Sequence, residues 1–273
     1  MPLNIPQEIL DKIIDEVAGS YPCVGLFISQ EGSQSLGYCA LVAKAWTFRG
    51  QKHLFVSISL KPENLGSWCE INARNPGLLN RHVRLLEMKQ NDGPGSMTKF
   101  TPDTLEAARP YLTFPNLELF ALSHWDDLAT FSLPRTFEHY AIPSLRSFHI
   151  IYSISSADVL LELAAIFSYV DEFEIYHPYA NDPRVTKTFS FPGSIGWKEF
   201  RMISVDKYLT GVLDVISGLS LQCQVLDISY ECLDDPLPIM RLISACSATL
   251  KYMRLEQTYK GNIFLSLQPR RLT

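Results

Sequence analysis

Between residues 83 and 255, a pattern of the form Φ-x-x-Φ-x-Φ, with Φ apolar, occurs seven times. It reads Val83, Leu86, Met88; then Leu117, Phe120, Leu122; then Leu145, Phe148, Ile150. It continues as Val170, Phe173, Ile175; Trp197, Phe200, Met202; Cys223, Leu226, Ile228; and Leu250, Met253, Leu255. The motifs begin at 83, 117, 145, 170, 197, 223 and 250, so the steps are 34, 28, 25, 27, 26 and 27 residues. One such alternation is easily met by chance, but seven at nearly constant spacing are not. The last two apolar positions alternate with polar ones, as in a strand buried on one face.

Helical patterns fill the gaps. TPDTLEAARPYL at 101–112 has Pro102 early, where a helix tolerates proline. SSADVLLELAAIF at 155–167 opens on serine caps with Asp158 in the first turn. Leu209, Val212, Leu213, Ile216 and Leu219 form one apolar stripe, and Ile239, Leu242, Ile243 and Cys246 another. The unit is strand, loop, helix, loop, strand. Each unit has apolar faces that it cannot bury alone, so it must stack on its neighbours. Right-handed crossovers between parallel strands then predict a curved α/β solenoid over residues 61–273.

The first sixty residues differ. PQEILDKIIDEV at 6–17 places Ile9, Leu10, Ile13, Ile14 and Val17 at helical spacing. Residues 20–35 read as a loop or insertion, followed by an apolar stretch at 36–46 and a strand, VSISL, at 56–60. Such short helices leave apolar surface for the rest of the chain or a partner to cover.

This segment resembles an F-box of the fungal type. The resemblance rests on Ile5-Pro6-x-Glu8-Ile9-Leu10 with Ile13-Ile14, on Cys39-Ala40-Leu41-Val42-x-Lys44-x-Trp46, and on Gln51-x-His53-Leu54-Phe55. NARNPGLLNRHVRLLEM at 72–88 looks like the junction that follows the F-box in those proteins. The stretch from Tyr21 to Gln34 is longer than the family's usual helix-to-helix connection. The remainder resembles an irregular leucine-rich-repeat array. The resemblance implies a substrate receptor of a Skp–cullin–F-box ubiquitin ligase. Residues 1–60 would bind a Skp-family adaptor and, through it, a cullin. Residues 61–273 would bind a target protein. Adaptor contact would fall on Ile5, Pro6, Leu10, Leu41, Val42 and Trp46, with core packing as the alternative role for each. His53 belongs to the same match and reads as structural.

Composition excludes several other classes. Hydrophobic residues make up 47% and charged residues 19%, enough for a sizeable core. A formal net charge of -5 argues against nucleic acid as the partner. No uncharged apolar run approaches the ~20 residues that span a bilayer, and no signal peptide is present, so the expected location is intracellular, cytoplasmic or nuclear. The six cysteines show no C-x-x-C pair and no zinc-finger spacing, which reads as free thiols in a reducing compartment.

No enzyme motif is found: G-x-S-x-G, the P-loop and H-E-x-x-H are all absent. Gly93-Pro94-Gly95-Ser96 reads as a plain connection, and Trp125-Asp126 as no propeller signature. The acidic pairs Asp126-Asp127, Asp171-Glu172 and Asp234-Asp235 read as loop or helix-start residues. The expectation is therefore a non-catalytic protein with no cofactor and no metal ligands. If the Φ positions face the core, alternation sends Ser147, His149, Glu174, Tyr176, Arg201, Asp227, Ser229, Arg254 and Glu256 to the solenoid's concave face. Of these, His149, Glu174, Tyr176, Arg201, Asp227 and Arg254 are the candidate target-binding residues.

Overall fold

In every motif the second and third apolar positions lie inside a β-strand, and the first is buried just before it. The computed structural model describes residues 6–20, 23–24, 27–28, 38, 49–50, 52–74, 77, 79–90, 99–125, 137–152, 154–176, 179–182, 185–186, 188–189, 191, 195–205, 210–230, 236–259 and 262–267. The chain opens with α1 (Gln7–Ser20) and a short antiparallel ribbon, β1 (Cys23–Val24) and β2 (Phe27–Ile28). There follow β3 (Ser57–Leu60), α2 (Pro62–Arg74), β4 (Leu85–Lys89), α3 (Pro102–Ala108), β5 (Leu119–Ser123) and β6 (Ser147–Ile151). Next come β7 (Ile154–Ser156), α4 (Ala157–Ile166), β8 (Glu172–Tyr176), β9 (Tyr179–Asp182) and β10 (Glu199–Val205). The last elements are α5 (Thr210–Ser217), β11 (Val225–Tyr230), α6 (Leu237–Cys246), β12 (Tyr252–Tyr259) and β13 (Asn262–Leu267).

Nine strands form one sheet in the order β3-β4-β5-β6-β8-β10-β11-β12-β13. The eight from β3 to β12 are parallel, and β13 closes the row antiparallel to β12. The fold class is therefore α/β with a predominantly parallel sheet. β7 and β9 make a separate parallel pair.

The near-constant step of the motif becomes strict register. Leu86, Phe120, Phe148, Phe173, Phe200, Leu226 and Met253 stand directly beside one another across seven strands. All seven belong to or pack on one core cluster, together with the inward faces of the helices. Phe120–Phe148 and Phe148–Phe173 ring centroids lie 5.6 Å apart, and Trp197 stacks on Phe173 at 4.4 Å. Each such ring contributes roughly 1.5–3 kcal/mol by leaving water.

One hydrogen-bond pattern marks each unit. The carbonyl of the residue after the first Φ accepts two consecutive N–H groups from the next unit: Arg84 from Glu118 and Leu119, Arg146 from Asp171 and Glu172, Lys198 from Gln224 and Val225. The residues of this row also pair by charge along the strand starts, with Asp171 held between Arg146 at 3.5 Å and Lys198 at 2.8 Å.

The helices start where expected. Thr101 caps α3 with a reciprocal capping box and Pro102 inside it, and Ser156 caps α4 by accepting from the Val159 amide. Trp125, the first half of the WD dipeptide, is fully buried, and its indole N–H donates to the Met88 carbonyl at 2.8 Å. Among the described residues, no helix is long and apolar enough to cross a membrane.

Candidate binding face

Alternation puts the polar strand residues on the face of the sheet opposite the helices, where they stand among Leu85, Leu119, Ala121, Ile151 and Val225. Across its middle runs the register row Ser59, Glu87, Ala121, His149, Glu174, Arg201, Asp227, Arg254. Two residues earlier in the same strands stand Ser147, Glu172 and Glu199. Parallel strands in register bring side chains about one repeat apart in sequence to neighbouring positions in space, so the charges meet sideways. Glu87 accepts from Ser59 Oγ at 2.7 Å and from Ser123 Oγ at 2.6 Å, joining three strands.

The densest group lies on β6, β8 and β10. The His149 ring sits between two carboxylates, with Nε2 3.7 Å from Glu172 Oε2 and Nδ1 3.6 Å from Glu174 Oε2. Ser147 Oγ donates to Glu172 Oε2 at 2.8 Å. Arg201 takes the opposite side of both acids, 2.6 Å from Glu174 Oε1 and 3.5 Å from Glu172 Oε1, and donates to Glu199 Oε2 at 2.7 Å. His149 and Glu174 are deeply buried, their side chains 6% and 4% exposed.

Their environments push the two acids apart. His149, then the Ser147 hydroxyl, hold the Glu172 carboxyl well below the usual range. Burial pushes Glu174 up, against the pull of His149 and Arg201. Glu172 is thus a fixed anion, and Glu174 a carboxyl that keeps its proton to higher pH. Further along, burial also raises Asp227, which Arg254 opposes from 3.7 Å. Arg254 also donates to Glu256 Oε2 at 2.5 Å. Across β8, β10, β11 and β12 this face carries Glu172, Glu174, Glu199, Asp227 and Glu256 against Arg201 and Arg254, an excess of three acids.

The structure therefore brings His149, Glu174, Tyr176, Arg201, Asp227 and Arg254 onto one face, five of them in a single row with Tyr176 beside it. It also shows that Arg201 and Arg254 are already engaged by neighbouring acids. The Asp171-Glu172 pair requires a correction. It occupies a strand start rather than a loop or helix start, with Asp171 in the outer ion row and Glu172 on the binding face. Glu172 and Glu199 stand in the same row as Ser147, one position before the second apolar residue of their motifs, where the same alternation places them on this face.

At the N-terminus, Asp15 on α1 accepts from Arg49 at 2.8 and 2.5 Å and lies 2.7 Å from His53 Nε2. Arg49, then His53, hold its carboxyl well below the usual range. His53 is thus a strut between α1 and the segment before β3. Ile14 of α1 is fully buried, while Ile9 and Ile13 are 46% and 43% exposed. Of the candidate adaptor contacts, Pro6 is exposed and Leu10 half-buried. Ile5, Leu41, Val42 and Trp46 lie outside the described residues, as do Asp126-Asp127, Asp234-Asp235 and Gly93–Ser96.

No family model, curated protein or solved structure matches this chain.

Proposed function

We propose that this chain is a non-enzymatic receptor that holds a target protein for a Skp–cullin–F-box ubiquitin ligase. In this reading residues 1–60 dock a Skp-family adaptor. Residues 61–273 form a solenoid of leucine-rich-repeat-like units whose polar sheet face takes the target. The receptor makes no covalent bond. It contributes proximity between the target and a ubiquitin-charged enzyme.

The observation that carries the reading is the pairing of two unlike surfaces. On α1, Ile9 and Ile13 lie one turn apart and exposed, while Ile14 is fixed in the interior. That is an apolar edge suited to helix-against-helix contact. On the sheet, eight parallel strands each add side chains to one rigid polar face, which positions groups more reproducibly than loops can. The acid excess on the β8–β12 part of that face fits a target segment rich in lysine or arginine.

The test is affinity capture of the tagged full chain from cells with the proteasome blocked. Co-purification of adaptor, cullin and a target protein is the expected result. Adaptor without cullin assigns the chain to an F-box role outside a ligase. A target without adaptor leaves a plain repeat-type binding protein and contradicts the ligase reading.

A further inference from the structure

We propose that His149, Glu172 and Glu174 bind one divalent first-row cation, with zinc the best fit, on the polar face of the sheet. The proposal does not depend on the ligase reading.

The first ground is convergence. One ligand atom from each of the three residues lies within 4.8 Å of the others. At a tetrahedral centre with bonds of about 2.0–2.2 Å, neighbouring donor atoms stand roughly 3.4 Å apart. An ion takes one ring nitrogen: Nε2 is 3.7 Å from Glu172 Oε2 and Nδ1 is 3.6 Å from Glu174 Oε2, so with either nitrogen one carboxylate already stands near that spacing. The other must close in from within 4.8 Å.

The second ground is an orphaned atom. His149 Nε2 is buried and makes no hydrogen bond. A neutral imidazole carries one N–H, so its other nitrogen presents a lone pair. With an acid oxygen near each ring nitrogen, that lone pair faces a carboxylate whenever Glu172 and Glu174 are both ionised. A buried polar atom in this position costs roughly 1–3 kcal/mol if nothing meets it. A cation between the nitrogen and the carboxylate oxygens removes the conflict.

Charge and orientation agree. Glu172, Glu174 and Glu199 surround a single Arg201, a local excess of two negative charges that one divalent ion neutralises. Arg201 holds the Oε1 atoms of Glu172 and Glu174, which leaves both Oε2 atoms turned to the imidazole. It acts as a positioning residue for the ligands. One imidazole with two carboxylates is a borderline donor set that suits zinc better than magnesium or calcium, which prefer oxygen throughout. Three protein ligands leave a coordination position for water or for a carboxylate or imidazole of a bound target.

The experiment uses the full chain, stripped by chelator and titrated with Zn²⁺ alone by equilibrium dialysis with metal analysis. One equivalent of zinc is expected. X-ray absorption of that sample should show nitrogen and oxygen neighbours at about 2.0–2.2 Å, with an imidazole signature and no sulfur at about 2.3 Å. His149→Ala and Glu174→Gln should abolish the equivalent, and Arg201→Gln should weaken it about 10–100-fold. No bound zinc in the unsubstituted chain overturns the proposal. A sulfur shell overturns it too, by moving the metal to cysteine. So does undiminished zinc binding in His149→Ala. The absorption spectrum of the unsubstituted chain decides the matter even where a variant fails to fold.

Discussion

Phe148 on β6 stacks on Phe167, which ends α4, with 3.9 Å between ring centroids and 16° between planes. Both rings are fully buried. The contact fastens the sheet to its helical layer at the centre of the phenylalanine row, where Phe148 also meets Phe120 and Phe173. Phe148→Ala should therefore lower unfolding free energy by roughly 3–5 kcal/mol, through lost burial and the cavity left behind. Urea unfolding followed by circular dichroism measures this. A loss below 1 kcal/mol would show that the row is not a continuous core.

Trp197 makes a different kind of contact. Its indole N–H donates to the buried Phe167 carbonyl at 3.0 Å while its ring stacks on Phe173 and Phe200. Trp197→Phe keeps most of the packing and leaves that carbonyl only the longer bond from the Val170 N–H, at 3.3 Å. The expected cost is about 0.5–1.5 kcal/mol, read by the same unfolding assay. A neutral substitution would mean that the indole bond adds nothing to the Val170 contact.

The acids of the binding face give a pH dependence of known sign. The Glu172 carboxyl falls from an ordinary 4.5 to about 2 in the folded chain. A lowered folded value means that the native state favours the anion. Its stabilisation is then full above about pH 4.5 and fades as pH falls towards about 2. Glu172→Gln should be less stable than the parent chain at pH 7, and the difference should close across that window. Glu174 has the opposite sign: its value is raised, so burial opposes the anion and its contribution is lost as pH rises. A Glu172→Gln penalty that is flat from pH 7 to 3 would contradict the assignment.

Much of this architecture was legible in the sequence. The Φ-x-x-Φ-x-Φ step fixed which residues line the core, because a buried face at period two leaves no other register. Pro102 and Ser156 marked helix starts through chemistry confined to the first turn. What escaped depends on relations between units. Asn262–Leu267 adds an antiparallel strand whose sequence carries no complete motif. Cys23–Val24 and Phe27–Ile28 form a ribbon within a stretch read as loop, since two-residue strands have no period to detect. The His149–Glu172–Glu174 cluster joins residues 23 and 25 positions apart, close to one repeat step. A search for local His and Cys spacing passes over such a group, and only the strand register brings it together.

The proposal that the polar sheet face takes a target can be tested against a loop edge. Tyr176→Ala with Arg254→Glu alters the row and its C-terminal side, and a second variant replaces residues 92–98 with a Gly/Ser linker. Only the first should release a captured target, with unfolding transitions unchanged in both. Release by the loop variant alone would move the binding site off the sheet.

The central claim is that the N-terminal segment docks an adaptor, and purified components test it most directly. The full chain is mixed with a purified Skp-family adaptor and resolved by size-exclusion chromatography with light scattering. The account predicts a one-to-one complex, lost in Ile9→Glu with Ile13→Glu while the urea transition of the repeats is unchanged. Absence of any complex, or a complex undisturbed by the two glutamates, would contradict it.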